Sequence, residues 1–317
     1  MFRPAGGRVG GASDIAVAVH QSYPPNTTPA RDFVVGVVDT GFACHGGGPH
    51  AWLANHIERT EGDVEDIPPN GMLGETHGHG TFIAGLVLRE APAATVRMVK
   101  PASWADGDVS AAIRSLSRCR LINLSFAGTE IEQGRPADIA AALRDLPGET
   151  VVVMAAGNQG GSDVVYPAGV RTGDRDCMTI AVGAVDETHA AAGGVPPALA
   201  PFSNRGPWVD CTASGVQVLG PHVHHNETQD PAVAHLAQHF HGWALWSGTS
   251  FAAATVTGVI ARAVMEQGLS LRAAAEKYVL GAQRIPVPGG GTGVEWKPYV
   301  RGRASTWGEI TLAPPTD

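Results

Sequence analysis

The feature that most constrains the fold of this 317-residue chain is a series of short, mostly apolar runs separated by helix-like segments. Runs without alternating polar positions are typical of strands buried on both faces of a parallel sheet. They occur at residues 33–38, 95–99, 120–125, 150–156 and 178–185, with a shorter one at 208–212. Amphipathic segments at 108–118 and 136–146 predict intervening helices. The alternation predicts an α/β fold with a doubly wound, mostly parallel sheet flanked by helices.

Polar residues stand where several of these predicted strands end. Asp39 follows the first run, Ser125 ends the third, and Asn158 comes shortly after the fourth. In open α/β sheets, ligands and chemistry lie at the carboxyl ends of the strands. An acid at one such end can equally be a loop cap, so no single position decides for a catalytic site.

A serine in the last third of the chain lies at the start of a predicted helix. Gly248 and Thr249 precede Ser250, and the small, apolar residues 251–265 predict a buried helix. The positive end of a helix dipole favours an oxyanion, so a nucleophile is well placed there. The alternative is that Thr249 and Ser250 only cap the helix. A base, an orienting acid and an oxyanion donor elsewhere in the chain would decide for the nucleophile.

The chain supplies these groups in the order Asp39, His79, Asn158 and Ser250. Asp, His, Ser is the order of the subtilisin type of catalytic triad, distinct from the chymotrypsin and α/β-hydrolase orders. Six stretches carry the match further: VVDTG at 37–41, HGTFIAG at 79–85, INLS at 122–125, AAGN at 155–158, FSNRG at 202–206 and GTSFAA at 248–253. On these motifs, which extend over about residues 33–266, the chain resembles the subtilase (subtilisin-like serine peptidase) family.

The resemblance implies a role for each of the four residues. Ser250 would attack the scissile carbonyl, and His79 would take its proton and pass it to the leaving amine. Asp39 would orient His79 and stabilise its cationic form. Asn158 would donate its side-chain amide to the oxyanion, with the Ser250 backbone N–H as second donor. The implied activity is that of a serine endopeptidase that acts through an acyl-enzyme on protein or peptide substrates.

A second histidine, His77, competes with His79 for the role of base. In the family pattern the base is followed by Gly-Thr and then by Ala-Gly, and only His79 satisfies this. We therefore predict that His77 is a residue of the loop or helix start that tunes the site at most.

The resemblance also implies the walls of a substrate cleft. One wall, which would receive the peptide as an extra strand, consists of Ser125, Phe126, Ala127 and Gly128. The other wall, beside the first specificity pocket, consists of Ala155, Ala156 and Gly157. Neither wall carries an acid, and a buried unpaired cation is costly. We therefore expect an apolar or broad preference rather than cleavage after Arg or Lys.

We expect a single large domain at 33–283, preceded by an N-terminal extension at 1–32 and followed by a C-terminal extension at 284–317 that packs on the domain. The segment between Gly85 and Thr95 has neither the length nor the ligands for the tight calcium site of many subtilases. A His-rich segment at 221–241 is interpreted as an insertion. His235 and His239 have the i, i+4 spacing of metal ligands on a helix. No cysteine or carboxylate cluster completes a ligand shell there, which favours a polar loop, and no metal or cofactor is expected.

Composition excludes several classes of function. A formal net charge of −8 provides no basic surface for nucleic acid. No window approaches the length of a transmembrane helix, so no membrane partner is expected. The first residues lack the apolar segment of a secretory signal, which favours a cytoplasmic location. The four cysteines show no metal-binding spacing, and Cys119 and Cys177 are expected to be buried thiols.

Two other functions stay open on the sequence alone. One is a catalytically silent module with the subtilase fold that binds peptides. The other is a metal-binding regulatory protein that uses the histidine cluster. The presence of all four predicted catalytic residues favours the enzyme, since a decayed site usually lacks at least one of them.

Overall fold

A computed structural model of the chain describes residues 27–43, 51–59, 76–127, 137–173, 175–187, 197–226, 239–288 and 294–302. The strands found within these ranges are β1 Val34–Val38, β2 Ile57–Arg59, β3 Thr95–Val99, β4 Leu121–Leu124, β5 Val151–Ala155, β6 Met178–Asp186, β7 Ala198–Leu199, β8 Cys211–Ser214, β9 Val218–Asn226, β10 His239–Trp246, β11 Arg284–Pro288 and β12 Val294–Val300. The helices are α1 Ala51–Ala54, α2 His79–Glu90, α3 Asp106–Ser115, α4 Ala137–Arg144, α5 Thr249–Gln267 and α6 Leu271–Ala275, and α6 continues as a π-helical turn, Glu276–Leu280.

One large sheet forms the centre of the described structure, with strand order β11-β12-β8-β6-β5-β4-β1-β3-β2. All neighbours from β12 to β2 are parallel, while β11 and the short β7 are attached antiparallel to β12 and β6. The predicted α/β fold with a mostly parallel sheet is thereby confirmed. The carboxyl ends of β1, β4 and β5 lie side by side in this order, which brings together the residues that follow them.

Helices cover both faces of the sheet, so its central strands are buried on both sides. Residues of α2 and α5 share one core cluster with Val151 and Val153 of β5. Residues of α3 and α4 share the other with Val152 and Met154. Successive side chains of a strand point to opposite faces. A strand between two helix layers therefore needs apolar residues at every position, which explains the unbroken runs in the sequence.

The expected strand at 208–212 is displaced toward the C-terminus, because β8 begins only at Cys211. Trp208 lies in a turn, where its indole N–H donates to the Ser162 carbonyl at 3.1 Å. Asp210 uses its carboxylate to accept the Ala181 N–H at 2.7 Å. Side-chain hydrogen bonds to a neighbouring loop and to β6 thus replace a strand ladder at these positions.

The interpretation of 221–241 as a polar loop is wrong for its described part. Residues of β9 and β10 pair antiparallel from Val218↔Trp246 to Asn226↔His239, with an irregularity between His241 and Trp243. His222 in this hairpin is fully buried. Because His239 lies in a strand, it does not share a helix face with His235, which lies outside the described residues.

The C-terminal segment contributes to the central sheet. The antiparallel hairpin of β11 and β12 joins it through parallel pairing of Tyr299 and Val300 with Thr212 and Ala213. Three cysteines of the described chain, Cys119, Cys177 and Cys211, are buried free thiols, and Cys44 lies outside it. Burial raises the pKa of Cys177 to about 11. Among the helices that the structure describes, none is both long and apolar enough to span a bilayer.

Candidate active site

Asp39 and His79 form the buried centre of the site. Asp39 directly follows β1 and is only 1% exposed, and its Oδ1 and Oδ2 lie 2.7 and 3.0 Å from Nδ1 of His79. The Thr40 backbone N–H also donates to Oδ1, at 2.7 Å. With Asp39 accepting from Nδ1, the imidazole carries its proton there and leaves Nε2 as the basic atom. Within the described structure, Nε2 has no hydrogen-bond partner.

The start of α2 brings His79 against the turn that follows β1. Gly80 packs on this turn so closely that a Cβ built on it would lie 2.1 Å from the Gly41 carbonyl oxygen. The Gly80 N–H donates to Thr40 Oγ1 at 3.0 Å. The residue before His79, Gly78, is the N-cap of α2 and has a left-handed φ of 75°, which favours glycine. These contacts set the spacing of the Asp39–His79 pair.

Ser250 is the second residue of α5, behind an N-cap at Gly248, so it does not cap the helix itself. Its hydroxyl donates to the Ser125 backbone carbonyl at 2.8 Å. The neighbouring ring of Phe251 lies 5.6 Å from the His79 ring, centroid to centroid. The start of α5 therefore lies against the imidazole through Phe251, while the Ser250 hydroxyl is hydrogen-bonded to the Ser125 carbonyl and not to His79 Nε2.

Asn158 is oriented by Thr249, the residue before Ser250. Thr249 donates both its backbone N–H and its hydroxyl to Asn158 Oδ1, at 2.9 and 3.0 Å. Two donors on one atom identify that atom as the amide oxygen, so the NH₂ group points the other way. A Cβ built on Gly248 would lie 3.5 Å from this nitrogen. The amide is thus available as a donor at the turn that carries Ser250.

Predicted cleft residues from both strand ends contact the start of α5. The Ser125 hydroxyl lies 2.7 Å from Asn123 Oδ1 and 3.0 Å from the Ser250 carbonyl oxygen. Phe126 packs against the ring of Trp104 at 5.3 Å between centroids, while Ala127 is partly buried and Gly128 lies outside the described residues.

At the end of β5, Ala155 and Ala156 are buried. Gly157 donates its N–H to Thr249 Oγ1 at 3.0 Å.

Asn204 positions the loop of Asn158, and His77 lies next to the site. Asn204, inside the motif 202–206, accepts from the Gln159 and Gly161 N–H groups at 3.1 and 3.2 Å. It therefore holds the loop that carries Asn158. His77, the competing base, has no contact with Asp39 among the hydrogen bonds of the described chain. Its carbonyl oxygen instead lies 3.1 Å from Nε2 of His222.

No group of three or more histidine, cysteine, aspartate or glutamate side chains in the described ranges is arranged to hold a metal ion. Glu90, at the end of α2, is the carboxylate nearest the expected position of a calcium loop. It is paired with Arg262, at 2.7 Å between Oε2 and Nη1. Its oxygen is therefore engaged in an ion pair between α2 and α5.

A parallel α/β sheet with a buried Asp–His pair, a serine at a helix start and an oriented amide defines the class of subtilisin-like serine peptidases. The chain belongs to the subtilase family, whose model matches residues 30–280. It is 30% identical over 203 residues to Subtilisin BL of Lederbergia lenta, a match that covers 58% of this chain and 64% of that protein. It is 27% identical over 240 residues to Alkaline elastase YaB of Bacillus sp. (strain YaB), covering 72% of this chain and 53% of the relative.

The matches thus span less than two thirds of the length of these relatives. Two solved structures share the fold over nearly the whole chain. A lanthipeptide protease superposes with a TM-score of 0.60 at 19% identity, covering 94% of this chain and 96% of that one. A cold adapted subtilisin-like serine proteinase superposes with a TM-score of 0.58 at 18% identity, covering 90% of this chain and 98% of that one. The predicted family is confirmed.

Proposed function

We propose that this chain is a serine endopeptidase that hydrolyses peptide bonds through an acyl-enzyme intermediate. The observation that carries the proposal is the buried contact between Asp39 and His79 Nδ1, which leaves Nε2 basic and without a hydrogen-bond partner in the described structure. The start of α5, which carries Ser250, lies against this ring through Phe251, and this supports Ser250 as the nucleophile. A base, its orienting acid and a hydroxyl nucleophile are thereby combined in one site.

In the first half of the reaction, the Ser250 hydroxyl turns from the Ser125 carbonyl toward Nε2 and gives up its proton. Its oxygen bonds to the scissile carbonyl carbon, and the π electrons of the carbonyl move onto its oxygen. As the tetrahedral intermediate collapses, the C–N bond breaks and the imidazolium of His79 protonates the leaving amine. In the second half, water takes the place of Ser250 as nucleophile and releases the acid. Asp39 stabilises the imidazolium in both halves.

The oxyanion is stabilised by two donors fixed before the reaction begins. One is the NH₂ of Asn158, whose orientation is set by the two bonds from Thr249 to its Oδ1. The other is the Ser250 backbone N–H, which lies in the first turn of α5, where N–H groups have no partner within the helix. Preorganised donors of this kind stabilise the transition state without reorganisation.

The proposed substrates are proteins or peptides bound in extended form beside residues 125–128. The walls of the cleft that the structure describes are uncharged, which supports cleavage after apolar or varied residues. The same fold occurs in a lanthipeptide protease and in a prenylagaramide maturation protease, which supports peptide precursors as one class of substrate to test.

A fluorophosphonate probe tests the proposal directly. We expect the folded wild-type protein to be labelled on Ser250, as read by mass spectrometry of the peptide that contains it, and to cleave a proteome-derived peptide library. Ser250→Ala and His79→Ala should abolish both signals, because the two residues act as a unit. His77→Ala is the matched control and should keep substantial activity. A folded protein without labelling or cleavage would favour a silent peptide-binding module.

A further inference from the structure

His222 is a buried histidine of β9 that the proposed reaction does not use. Its Nε2 lies 3.1 Å from the backbone carbonyl oxygen of His77, 145 positions earlier in the chain. Because a carbonyl only accepts, Nε2 of His222 carries a proton and donates it. His77 stands two residues before His79. The bond is therefore made to the turn from which the helix of His79 begins.

The ring of His222 packs directly on Gly78, the N-cap of α2. A Cβ built on Gly78 would lie 2.8 Å from Nε2 and 3.0 Å from Cδ2 of His222. The imidazole thus occupies the space that a side chain at this position would take. It blocks movement of the turn toward β9, while its hydrogen bond opposes movement away.

Strand β9 is itself held firmly against α2. A Cβ on Gly85 would lie 2.0 Å from Cγ of Pro221, and a Cβ on Gly220 would lie 2.6 Å from the ring of Phe82. These close approaches fix the backbones of α2 and β9 relative to each other, next to the contact made by His222. Because tightly packed elements transmit small displacements, a substitution of His222 should shift the backbone at the start of α2.

Trp246 connects His222 with the proposed base from a second direction. This side chain, at the end of β10, is 1% exposed. Its ring lies 5.7 Å from that of His222 and 5.4 Å from that of His79, with an edge-on arrangement in both pairs. The imidazole of His79 is therefore packed against a ring that His222 supports.

We propose that His222 is a positioning residue for His79, a role that rests on the function proposed above. Its hydrogen bond to the His77 carbonyl and its packing on Gly78 and Trp246 hold the first turn of α2, so that Nε2 of His79 meets the Ser250 hydroxyl. This assigns a role to the β9–β10 hairpin. Misplacement of a reacting group by about 1 Å costs on the order of 10² in rate.

Two substitutions separate the hydrogen bond from the volume of the ring. In His222→Gln, the amide nitrogen can take the place of Nε2 and donate to the same carbonyl. In His222→Leu, an apolar group fills much of the space without a donor. We expect kcat of the Leu variant to fall by about 10–100-fold. Its KM and the number of active sites that fluorophosphonate labels should change little. The Gln variant should regain most of this loss. If the Leu variant does not fold, His222→Met, with its adaptable side chain, replaces it.

His56→Leu is the matched control for a merely structural role. His56 is also buried, and its Nδ1 lies 2.9 Å from the Ala94 carbonyl oxygen, outside the site. We expect this control to lower the melting temperature but to leave kcat per titrated site unchanged.

Three outcomes would overturn the positioning role in an active wild-type enzyme: unchanged kcat in the donor-less His222 variant, equal kcat in that variant and His222→Gln, or an equal loss of kcat in His56→Leu. A folded wild type that neither labels nor cleaves would instead refute the proposed function, and this role with it.

Discussion

Gly80→Ala is the substitution that most directly tests how the Asp39–His79 pair is spaced. A Cβ on Gly80 would lie 2.1 Å from the Gly41 carbonyl oxygen. Carbon and oxygen approach to about 3.3 Å at closest in weak contacts. The start of α2 and the turn after β1 must therefore part by about 1.2 Å, the difference between these two distances, unless the backbone rotates.

This separation should act on catalysis as well as on folding. Because Gly80 follows His79 directly, we expect the Nδ1 contact with Asp39 to lengthen and kcat/KM to fall by about 10²-fold, the cost of a shift of about 1 Å at a reacting group. Overpacking should also cost about 1–3 kcal/mol of unfolding free energy. The assays are hydrolysis of a fluorogenic peptide, normalised to the sites that fluorophosphonate labels, and urea denaturation.

Gly107→Ala is the control for adding a methyl group. Gly107 lies in α3, and a Cβ there would meet no atom within 4 Å. We expect wild-type kcat/KM and a gain of about 0.5–1 kcal/mol, because alanine favours the helix. Wild-type kcat/KM in Gly80→Ala would refute the argument that this close approach sets the geometry of the pair.

Three further predictions concern the oxyanion donor, calcium and the thiols. Thr249→Val removes one of the two hydrogen bonds that orient Asn158, so kcat should fall. The loss should be smaller than the rate decrease of about 10²–10³-fold that follows removal of an oxyanion donor in subtilisin. An unchanged kcat would contradict this. Excess EGTA should leave the melting temperature unchanged, because the segment after α2 is a short turn and Glu90 is paired with Arg262; a drop that added calcium restores would argue against it. Iodoacetamide at pH 8 should not modify Cys177 in the folded protein but should do so after unfolding, because burial raises the pKa of this thiol to about 11; peptide mass spectrometry decides.

The parallel sheet was predictable because its cause is local. Between two helix layers, every side chain of β5 meets apolar neighbours, and the resulting unbroken run is visible in the sequence. The predicted positions of Asp39, His79, Asn158 and Ser250 rest on short motifs at strand ends and helix starts. Such motifs are read within a few residues, since each reflects the backbone that its own residues adopt. The prediction failed at 208–210, where side-chain hydrogen bonds to residues 162 and 181 replaced a strand, and β8 begins only at Cys211.

The covering of the site was decided only by the tertiary structure. The histidines of 221–241 look like a polar loop in the sequence, yet His222 is buried beneath the turn that precedes His79. Periodicity reports which side of a segment is buried, but not which distant segment buries it. The absent side chain of Gly78 and the imidazole of His222 complement each other only after α2 and β9 have packed. The same holds for Thr249, whose two bonds to Asn158 join residues 91 positions apart. Contacts of this kind depend on how the layers close, a property of the folded chain that no local stretch of sequence contains.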